Sequence, residues 1–443
     1  MEFNKYTVND LVKLNVLEKP LDGNHGGIHP RGADFIDNGI PFITASDIKG
    51  NEIDFRSCKY ISLEQAEQLK KGKAQENDVL ITHKATIGRT AIVPKIPFPY
   101  IVLSPQVTFY RVKNYSILNN LYLKYFFDSS EFQNTFLNWS GGGSTRLYLG
   151  ISAQGKLPIT IPSITTQEKI VSVINKLELK IKNNKKLLIN LEQLAQTLFK
   201  HWFIDFEFPN EEGKPYKSSG GEMVKSELGE IPRDWQYLKL GELDCTISDH
   251  VANGSFKSLK DNVVFTELID ERYALFARNI DLKKKLSGDL KYITKDSYDF
   301  LKKSHLFGGE IIVSNVGDVG TIHRCPTLNI PMVLGNNQIY ITSKKEFFNE
   351  YLYLLLKSNV GKSLISSITS GSVQMKFNKT DFRNSKIILP SDDLLKRIFS
   401  KIKIDLDLIE VLNNENKYLQ HLRDTLLPKL LSGEIEIPDD LEV

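Results

Sequence analysis

The 443-residue sequence contains the same pattern twice, in two segments about 230 positions apart. Residues 78–82 (DVLIT) correspond to residues 310–314 (EIIVS). Gly88 corresponds to Gly320, and Gln106 to Gln338, both 232 positions later. Residues 161–163 (IPS) correspond to residues 389–391 (LPS), and the helical pattern behind them repeats as well. A duplicated segment of this length predicts two similar folding units rather than one continuous core.

Composition limits the class of protein. Hydrophobic residues make up 41% and charged residues 25% of the chain, which is typical of folded globular domains. The net charge of +3 neither demands nor excludes a nucleic-acid partner, because binding depends on local charge. Three isolated cysteines, Cys58, Cys245 and Cys325, form neither a disulfide framework nor a zinc spacing. Without a long apolar segment or a signal-peptide core, the sequence predicts a cytoplasmic protein.

The first part of each copy is rich in short strand-like runs. Examples are residues 41–44, 78–82, 310–314 and 338–341, separated by Gly, Pro and Asn turns. A helical stretch at 121–127 recurs at 351–356. These patterns predict an α+β fold with two domains of mixed β-sheet and short helices.

The second part of each copy has a heptad pattern. The spacing alternates between four and three residues, and this period of 3.5 favours a left-handed coiled coil. In the first copy the positions are Ile170, Ile174, Leu177, Ile181, Asn184, Leu188, Leu191, Ala195 and Leu198. In the second they are Ile398, Ile402, Ile409, Leu412, Asn416, Leu419 and Leu426, with Asp405 and Arg423 intruding. Pro428 is expected to end the second helix.

A helix with one apolar stripe must bury that stripe, and its own duplicate is the simplest partner. We therefore expect two long antiparallel helices forming a coiled-coil spacer, each ~54 Å long at ~1.5 Å per residue. Asn184 and Asn416 either select one register of the pair or lie at a solvated edge, and the sequence leaves both readings open.

The sequence predicts six segments in order. A strand-rich domain covers residues 1–162, a helix 163–205 and a polar, Gly-rich linker 206–234, of which 209–232 is expected to be a loop. A second strand-rich domain covers 235–390, a second helix 391–432 and a tail 433–443.

Several short runs, in order along the whole chain, resemble the specificity subunit of type I restriction–modification systems. They are residues 39–43 (GIPFI) with 47–48 (DI), 161–162 (IP) with 167–170 (QEKI), 206–209 (FEFP) with 217–223 (KSSGGEM), 229–232 (GEIP) with Trp235, and 422–434 (LRDTLLPKLLSGE). The second copy departs from the pattern, with 274–277 (ALFA) in place of 40–43 (IPFI) and 395–396 (LK) in place of 167–168 (QE). Such divergence is expected if the two domains read different sequences.

The resemblance implies a non-catalytic subunit. Each strand-rich domain would be a target-recognition domain that reads one half of an asymmetric, bipartite site in double-stranded DNA. The helices would set the gap between the halves and dock two methyltransferase subunits. Motor/nuclease subunits would complete the complex. S-adenosylmethionine, ATP and Mg²⁺ would belong to those partners, with no cofactor in this chain.

Motifs for catalysis are weak in the sequence. It has no Pro-Pro dipeptide of the kind an adenine methyltransferase needs, and the Gly-rich run 140–145 lacks the lysine of a P-loop. That run is either a flexible turn or, because Arg146 follows it, a segment near the DNA backbone. His25 and His29 alone are a weak metal signal. A fused enzyme and a protein-binding scaffold remain the rival classes.

Candidate DNA contacts are polar and basic residues in loops after strands, above all in the segment 82–89. For each one the alternative is an ordinary solvated side chain. The candidates are Lys59, His83, Lys84, Thr86, Arg89, Ser104, Gln106, Arg146 and Tyr148 in the first copy, and Lys291, Asn315, Asp318, His323, Arg324, Asn336, Gln338, Gln374 and Lys376 in the second.

Overall fold

The computed structural model describes residues 3–141, 147–227, 229–371 and 373–438. The chain divides into two compact units. The first unit comprises Met1–Lys182 with Lys417–Val443, and the second comprises Asn183–Asn416. The boundary between the two units crosses both long helices, at 182/183 and at 416/417. The six segments expected from the sequence are instead bounded by the ends of the helices. That finer division stays a prediction.

Two four-stranded sheets form the strand-rich part of the first unit. One has the strand order Lys59–Ile61, Ile40–Ile43, Ile101–Leu103, Lys73–Ala74. The other has the order Leu21–Asp22, Val107–Tyr110, Val79–Lys84, Thr86–Ile92. Two-stranded pairs join Asn4–Thr7 to Pro158–Ile161 and Ile48–Lys49 to Glu52–Ile53. The helices are Val8–Lys13, Leu63–Gln68, Asn120–Asp128, Ser130–Trp139, Ile151–Gln154 and the first part of Ile164–Phe199.

The second unit repeats this plan. Its four-stranded sheet has the order Thr246–Asp249, Gln338–Thr342, Ile311–Ser314, Ile322–Arg324. Its five-stranded sheet has the order Phe265–Thr266, Tyr292–Ile293, Ala274–Ala277, Met332–Leu334, His305–Leu306. Gln236–Lys239 pairs with Lys386–Leu389. The helices are Phe256–Asn262, Asn279–Lys283, Lys295–Phe300, Phe348–Lys357, Asn359–Ile368, Lys379–Asn384 and most of Asp392–Ser432. The predicted α+β fold with duplicated mixed sheets is confirmed.

Strand register corrects one detail of the duplication. Thr82 lies opposite Val107, and its counterpart Ser314 lies opposite Gln338. Gln338 is therefore equivalent to Val107, so the expected match between Gln106 and Gln338 is wrong by one residue. The offset is still 232 at residues 92 and 324 and is 231 at residues 103 and 334, so it changes in the loop between these positions. Burial fixes the register, because a slip of one residue would turn a buried side chain outward.

The matched glycines have a common structural cause. Gly88 and Gly320 adopt φ values of 80° and 82°, a left-handed conformation that glycine tolerates best. A Cβ at Gly88 would also lie 2.2 Å from Oε1 of Gln133. This part of the sequence alignment between the two copies is thus confirmed.

The long helices pair through the predicted stripe within each unit. In the first unit Ile170 and Ile174 share a core with Leu427 and Leu430. In the second unit Ala195 and Phe199 share a core with Ile398 and Ile402. Early residues of one helix therefore contact late residues of the other, which is the predicted antiparallel arrangement. The remaining stripe positions are buried or half-buried: Leu177, Ile181, Asn184, Leu188, Leu191, Leu198, Ile409, Leu412, Asn416, Leu419 and Leu426.

Two predictions about the helices and the linker are wrong. The second helix does not end at Pro428 but continues to Ser432, because Leu430 and Leu431 are buried in the first unit's core and hold the last turn in place. The predicted loop at 209–232 contains a hairpin of Met223–Ser226 with Gly229–Pro232. The Gly-rich composition predicts a loop, but aromatic side chains anchor this segment. Phe208 stacks on Trp235 with ring centroids 5.4 Å apart.

Candidate nucleic-acid interface

A tight hairpin tip displays the first group of candidate side chains. Strands Val79–Lys84 and Thr86–Ile92 are joined by Ala85, which has a φ of 65°. The segment 147–149 extends this hairpin, because the N–H of Ala85 donates to the carbonyl of Leu147 at 3.1 Å. Exposed Lys84 consequently lies beside exposed Tyr148, with its Nζ 5.9 Å from the ring centroid.

His83 lies directly behind this exposed pair. Its side chain is fully buried, and its Nδ1 is 2.7 Å from the hydroxyl of Thr108. Burial lowers the pKa of His83 to about 4, so the ring is neutral at physiological pH. The expectation that His83 reaches DNA is corrected, because its ring instead packs at 5.8 Å from that of Tyr148 and supports it.

A cavity of about 390 Å³ opens beside the hairpin tip of the first unit. Three of the predicted DNA-binding residues line it: Lys84, Ser104 and Gln106. Its other lining residues are His25, Gly26, His29, Arg31, Phe42, Thr44 and Pro105. The donors of Arg31 and Lys84 suit phosphate oxygens or the acceptor edge of guanine, while the amide of Gln106 can both donate and accept.

Arg89, Lys59 and Thr86 are not among the residues that line this cavity. Arg89 uses its Nη1 to donate to the carbonyls of Ala45 and Ile48 at 3.3 and 3.2 Å, which fixes a neighbouring turn. Lys59 is exposed and sits 4.4 Å from the centroid of the Phe35 ring. Thr86 is exposed on the hairpin, whereas Ser104 is buried in the cavity wall. Arg146 and the Gly-rich run before it, from 142 onward, lie outside the described residues.

The equivalent region of the second unit presents amides. Register makes Asn337 the counterpart of Gln106, and Asn337 is exposed together with predicted Asn336. Both residues line two adjoining cavities of about 590 and 630 Å³. Asn315, the counterpart of His83, lines the first and donates its Nδ2 to the carbonyl of Phe377 at 3.0 Å. Asparagine amides are suited to paired hydrogen bonds with adenine.

Asp318 and His323 belong to one chain of hydrogen bonds, in which the Asp318 side chain remains 52% exposed. Nε2 of His323 is 2.8 Å from Oδ1 of Asn279, whose Nδ2 donates to Asp318 at 3.1 Å. Lys283 donates to the same carboxylate at 2.7 Å and lowers the pKa of Asp318. Burial lowers the pKa of His323 to about 4. This network fixes the wall of the second unit's cavities.

Two further candidates, Arg324 and Gln338, contact other residues of the second unit instead of being exposed. Arg324 pairs with Asp407 at 3.2 Å and Glu350 at 3.5 Å, so it braces the C-terminal helix against the sheet. Gln338 is buried and donates its Nε2 to the carbonyl of Ala277 at 2.8 Å. Each side chain thus has a partner within its own unit, and contact with DNA stays a prediction for both.

The remaining second-unit candidates are on the surface. Lys291 is half-buried and forms an ion pair with Glu267 at 3.4 Å. Gln374 and Lys376 are exposed in a loop that packs on the 315–317 segment, since the N–H of Gly317 donates to the carbonyl of Met375 at 3.0 Å. Contact with DNA stays a prediction for these residues and for Lys84, Gln106 and Tyr148.

Sequence reasoning missed part of each cavity. His25 and His29 stood out only as a weak metal pair, yet the loop that carries them also places Arg31 at the first cavity. In the second unit Asn337 was missed because the alignment was one residue out of register. A loop rich in Gly, His and Arg directly after a strand was the available signal for the first set.

No group of three or more His, Cys, Asp or Glu side chains in the described ranges is placed to hold a metal ion. Nor does any helix within those ranges combine the length and apolarity needed to cross a membrane.

Comparison with known proteins gives one consistent family. The family described as "Type I restriction modification DNA specificity domain" matches residues 3–193 and 232–421. The chain is 27% identical over 418 residues to the Type I restriction enzyme MjaIX specificity subunit of Methanocaldococcus jannaschii, covering 90% of this chain and 88% of the relative. It is 24% identical over 450 residues to the HindI specificity subunit of Haemophilus influenzae, covering 89% and 94%.

A solved structure has the same fold. The crystal structure of the type I restriction–modification S subunit from M. genitalium matches with a TM-score of 0.56 and 14% identity, covering 97% of this chain and 96% of that one. The family match spans both copies of the duplicated segment. The chain therefore belongs to the family of type I restriction–modification DNA specificity subunits.

Proposed function

We propose that each unit of this chain binds one half of a bipartite site in double-stranded DNA, and that the two halves differ in sequence. The chain acts as the non-catalytic recognition subunit of a type I restriction–modification complex. Methylation and cleavage are carried out by its partner subunits.

One observation carries the proposal: the same strand framework presents different side chains at equivalent positions. Gln106 of the first unit corresponds to Asn337 of the second. Exposed Lys84 corresponds to half-buried Val316. A shared framework with different exposed donors and acceptors is what two readers of different base sequences require, because hydrogen bonds to base edges carry the sequence information.

The long helices support a docking role for the methyltransferase subunits. On the second unit's part of the C-terminal helix, Ile404 and Val411 are 67% and 60% exposed, and Leu408 between them is 37% exposed. Their spacing of four and three residues places them on one helix face, away from the buried stripe. An exposed apolar stripe of this kind is typical of a protein-binding surface. We place the two methyltransferase subunits on these helices and the motor/nuclease subunits beyond them.

The cofactors belong to those partners in this proposal. S-adenosylmethionine would be bound by the methyltransferase subunits, and ATP with Mg²⁺ by the motor/nuclease subunits. Because the proposed ligand is cellular DNA, we propose that the chain works in the cytoplasm.

A methylation assay with the reconstituted partner subunits tests the proposal. Sequencing of modified adenines in DNA exposed to the complex should give one motif with two defined halves and an undefined gap. Substituting Gln106→Ala should relax the motif only in one half, and Asn337→Ala only in the other. Methylation that is indifferent to sequence would overturn the proposal, as would methylation by this chain alone.

A docking experiment separates the recognition role from a general protein scaffold. Val411→Glu should reduce co-purification of the methyltransferase subunit, since it places a charge in the apolar stripe. Asn414→Glu, at an exposed position on the same helix, is the matched control and should retain the partner. Equal retention by both variants would contradict the assigned surface.

A further inference from the structure

The cavity of about 590 Å³ in the second unit has an aromatic lining that reading paired bases does not require. Phe256, Phe265 and Phe276 line it together with Asn336 and Asn337. The Phe256 side chain is 85% exposed and that of Phe265 is 51% exposed. Large aromatic side chains displayed at a polar surface usually mark a binding site.

The first unit has no equivalent lining at its own cavity. The single aromatic side chain among the residues that line it, leaving aside the two histidines, is Phe42, which is buried. Phe42 corresponds to Phe276, because each lies in the strand that pairs in parallel with the equivalent neighbour, Ile101–Leu103 or Met332–Leu334. The exposed rings of Phe256 and Phe265 are therefore an addition specific to the second unit.

The geometry of the aromatic side chains suits a flat ring. Phe265 packs at right angles to Phe276 with ring centroids 5.0 Å apart, and Phe265 is 51% exposed. Phe256 begins the helix Phe256–Asn262, which Ser255 caps by accepting a hydrogen bond from the N–H of Ser258 at 3.2 Å. Phe256 is therefore the first residue of a capped helix, and it remains 85% exposed.

Polar and basic groups beside the rings identify the ligand as part of a nucleic acid. Asn336 and Asn337 line both cavities, and exposed Lys284 lines the adjoining one, where Lys283 pairs with Asp318. A protein ligand would not need this combination of amides and lysines. A nucleobase does, because its face stacks on an aromatic ring, its edge pairs with an amide, and its phosphate attracts lysine.

We propose that the second unit draws one base of its half-site out of the DNA stack and holds it against Phe256 and Phe265. This inference rests on the proposed function, since it assumes that the cavity faces DNA. It adds that the two halves are read differently: the first unit reads stacked base pairs, and the second unit unstacks one position. The cost of unstacking is offset by stacking on the protein.

The test uses 2-aminopurine, a base analogue whose fluorescence rises when it leaves the stack. The full complex with its methyltransferase subunits is bound to duplexes that carry the analogue at each position of the second half-site in turn. We expect a several-fold rise at one position besides the methylated adenine. Phe256→Ala should abolish that rise, leave the signal at the methylated adenine, and weaken binding about 5- to 150-fold.

Phe307→Ala is the matched control. Phe307 is 73% exposed, belongs to the same unit and is absent from the lining of both cavities, so its loss should change neither signal. No fluorescence rise in the second half-site, or a rise unchanged by Phe256→Ala, would overturn the inference. Those results would leave sequence-specific methylation intact, so they are distinguishable from failure of the proposed function.

Discussion

Burial of His83 connects the stability of the first unit to pH. Its pKa falls from an ordinary 6.5 to about 4 in the folded chain. Between these values the unfolded chain binds a proton that the folded chain does not. Stability is therefore complete above pH ~6.5 and is lost as the pH falls toward 4, by on the order of 3 kcal/mol.

The second unit suggests the substitution that tests this dependence. Asparagine occupies the equivalent position, Asn315, so His83→Asn is compatible with the framework. We expect this variant to lose less stability between pH 7 and pH 4.5 than the parent chain. Calorimetric unfolding across this range measures the effect, with exposed His421→Asn as control. An unchanged pH slope in His83→Asn would show that another group is responsible.

Arg324 is a candidate DNA contact in the sequence, and in the structure its charge pairs with carboxylates of its own unit. Its guanidinium meets Asp407 and Glu350, and the Glu350 side chain is only 12% exposed. Arg324→Gln leaves the carboxylate of Glu350 without its cation, whereas Asp407 keeps Lys403 at 2.7 Å, so we expect the second unit to lose about 1–3 kcal/mol of stability. The methylated motif should stay the same. A changed methylation motif with an unchanged unfolding temperature would show instead that Arg324 contacts DNA.

At the scale of elements, the two asparagines in the helical stripe differ in spite of their similar burial. Asn184 is 3% exposed and donates to Oε2 of Glu415 at 2.7 Å. Asn416 is 6% exposed, and its Oδ1 has no hydrogen-bond partner among the described residues. An unsatisfied buried acceptor costs about 1–3 kcal/mol, whereas a hydrogen bond to a charged group contributes about 1.5–3 kcal/mol.

The same substitution should therefore have opposite effects at these two positions. Asn184→Leu should lower the unfolding temperature, because it removes the hydrogen bond that Asn184 donates to Glu415. Asn416→Leu should leave it unchanged or raise it, because it replaces an unsatisfied amide with an apolar side chain at a stripe position. Differential scanning calorimetry of the full chain compares them. An equal fall in the unfolding temperature of both variants would mean that both asparagines act only by selecting the register of the helix pair.

Elements with a regular period could be predicted from the sequence, and most of the site could not. The heptads predicted the long helices because every third or fourth residue must face the partner. The loops depend on contacts distant in sequence. Arg89, for example, is exposed, but its guanidinium donates to carbonyls more than 40 positions away, which the sequence does not reveal. The one-residue error at Gln338 arose in a turn, where no side-chain period fixes the alignment.

At the scale of the whole molecule, the two long helices are the elements common to both units. If they set the gap between the half-sites, lengthening both by one heptad should lengthen the gap and change nothing else. Seven residues inserted after Asn183 and seven after Glu415 preserve the buried stripe, because each insertion equals one full period. The added length is ~10.5 Å, or about three base pairs at ~3.4 Å each.

Sequencing of modified adenines measures the outcome for this variant in complex with its partner subunits. We expect both half-sites to be kept and the gap to grow by about three base pairs. Insertions of four residues at the same two places are the comparison. They add ~6 Å but shift the stripe out of phase, so they should change the gap by about two base pairs and also lower stability. An unchanged gap in the seven-residue variant, or altered half-sites, would show that the helices hold the units together without measuring the distance between their targets.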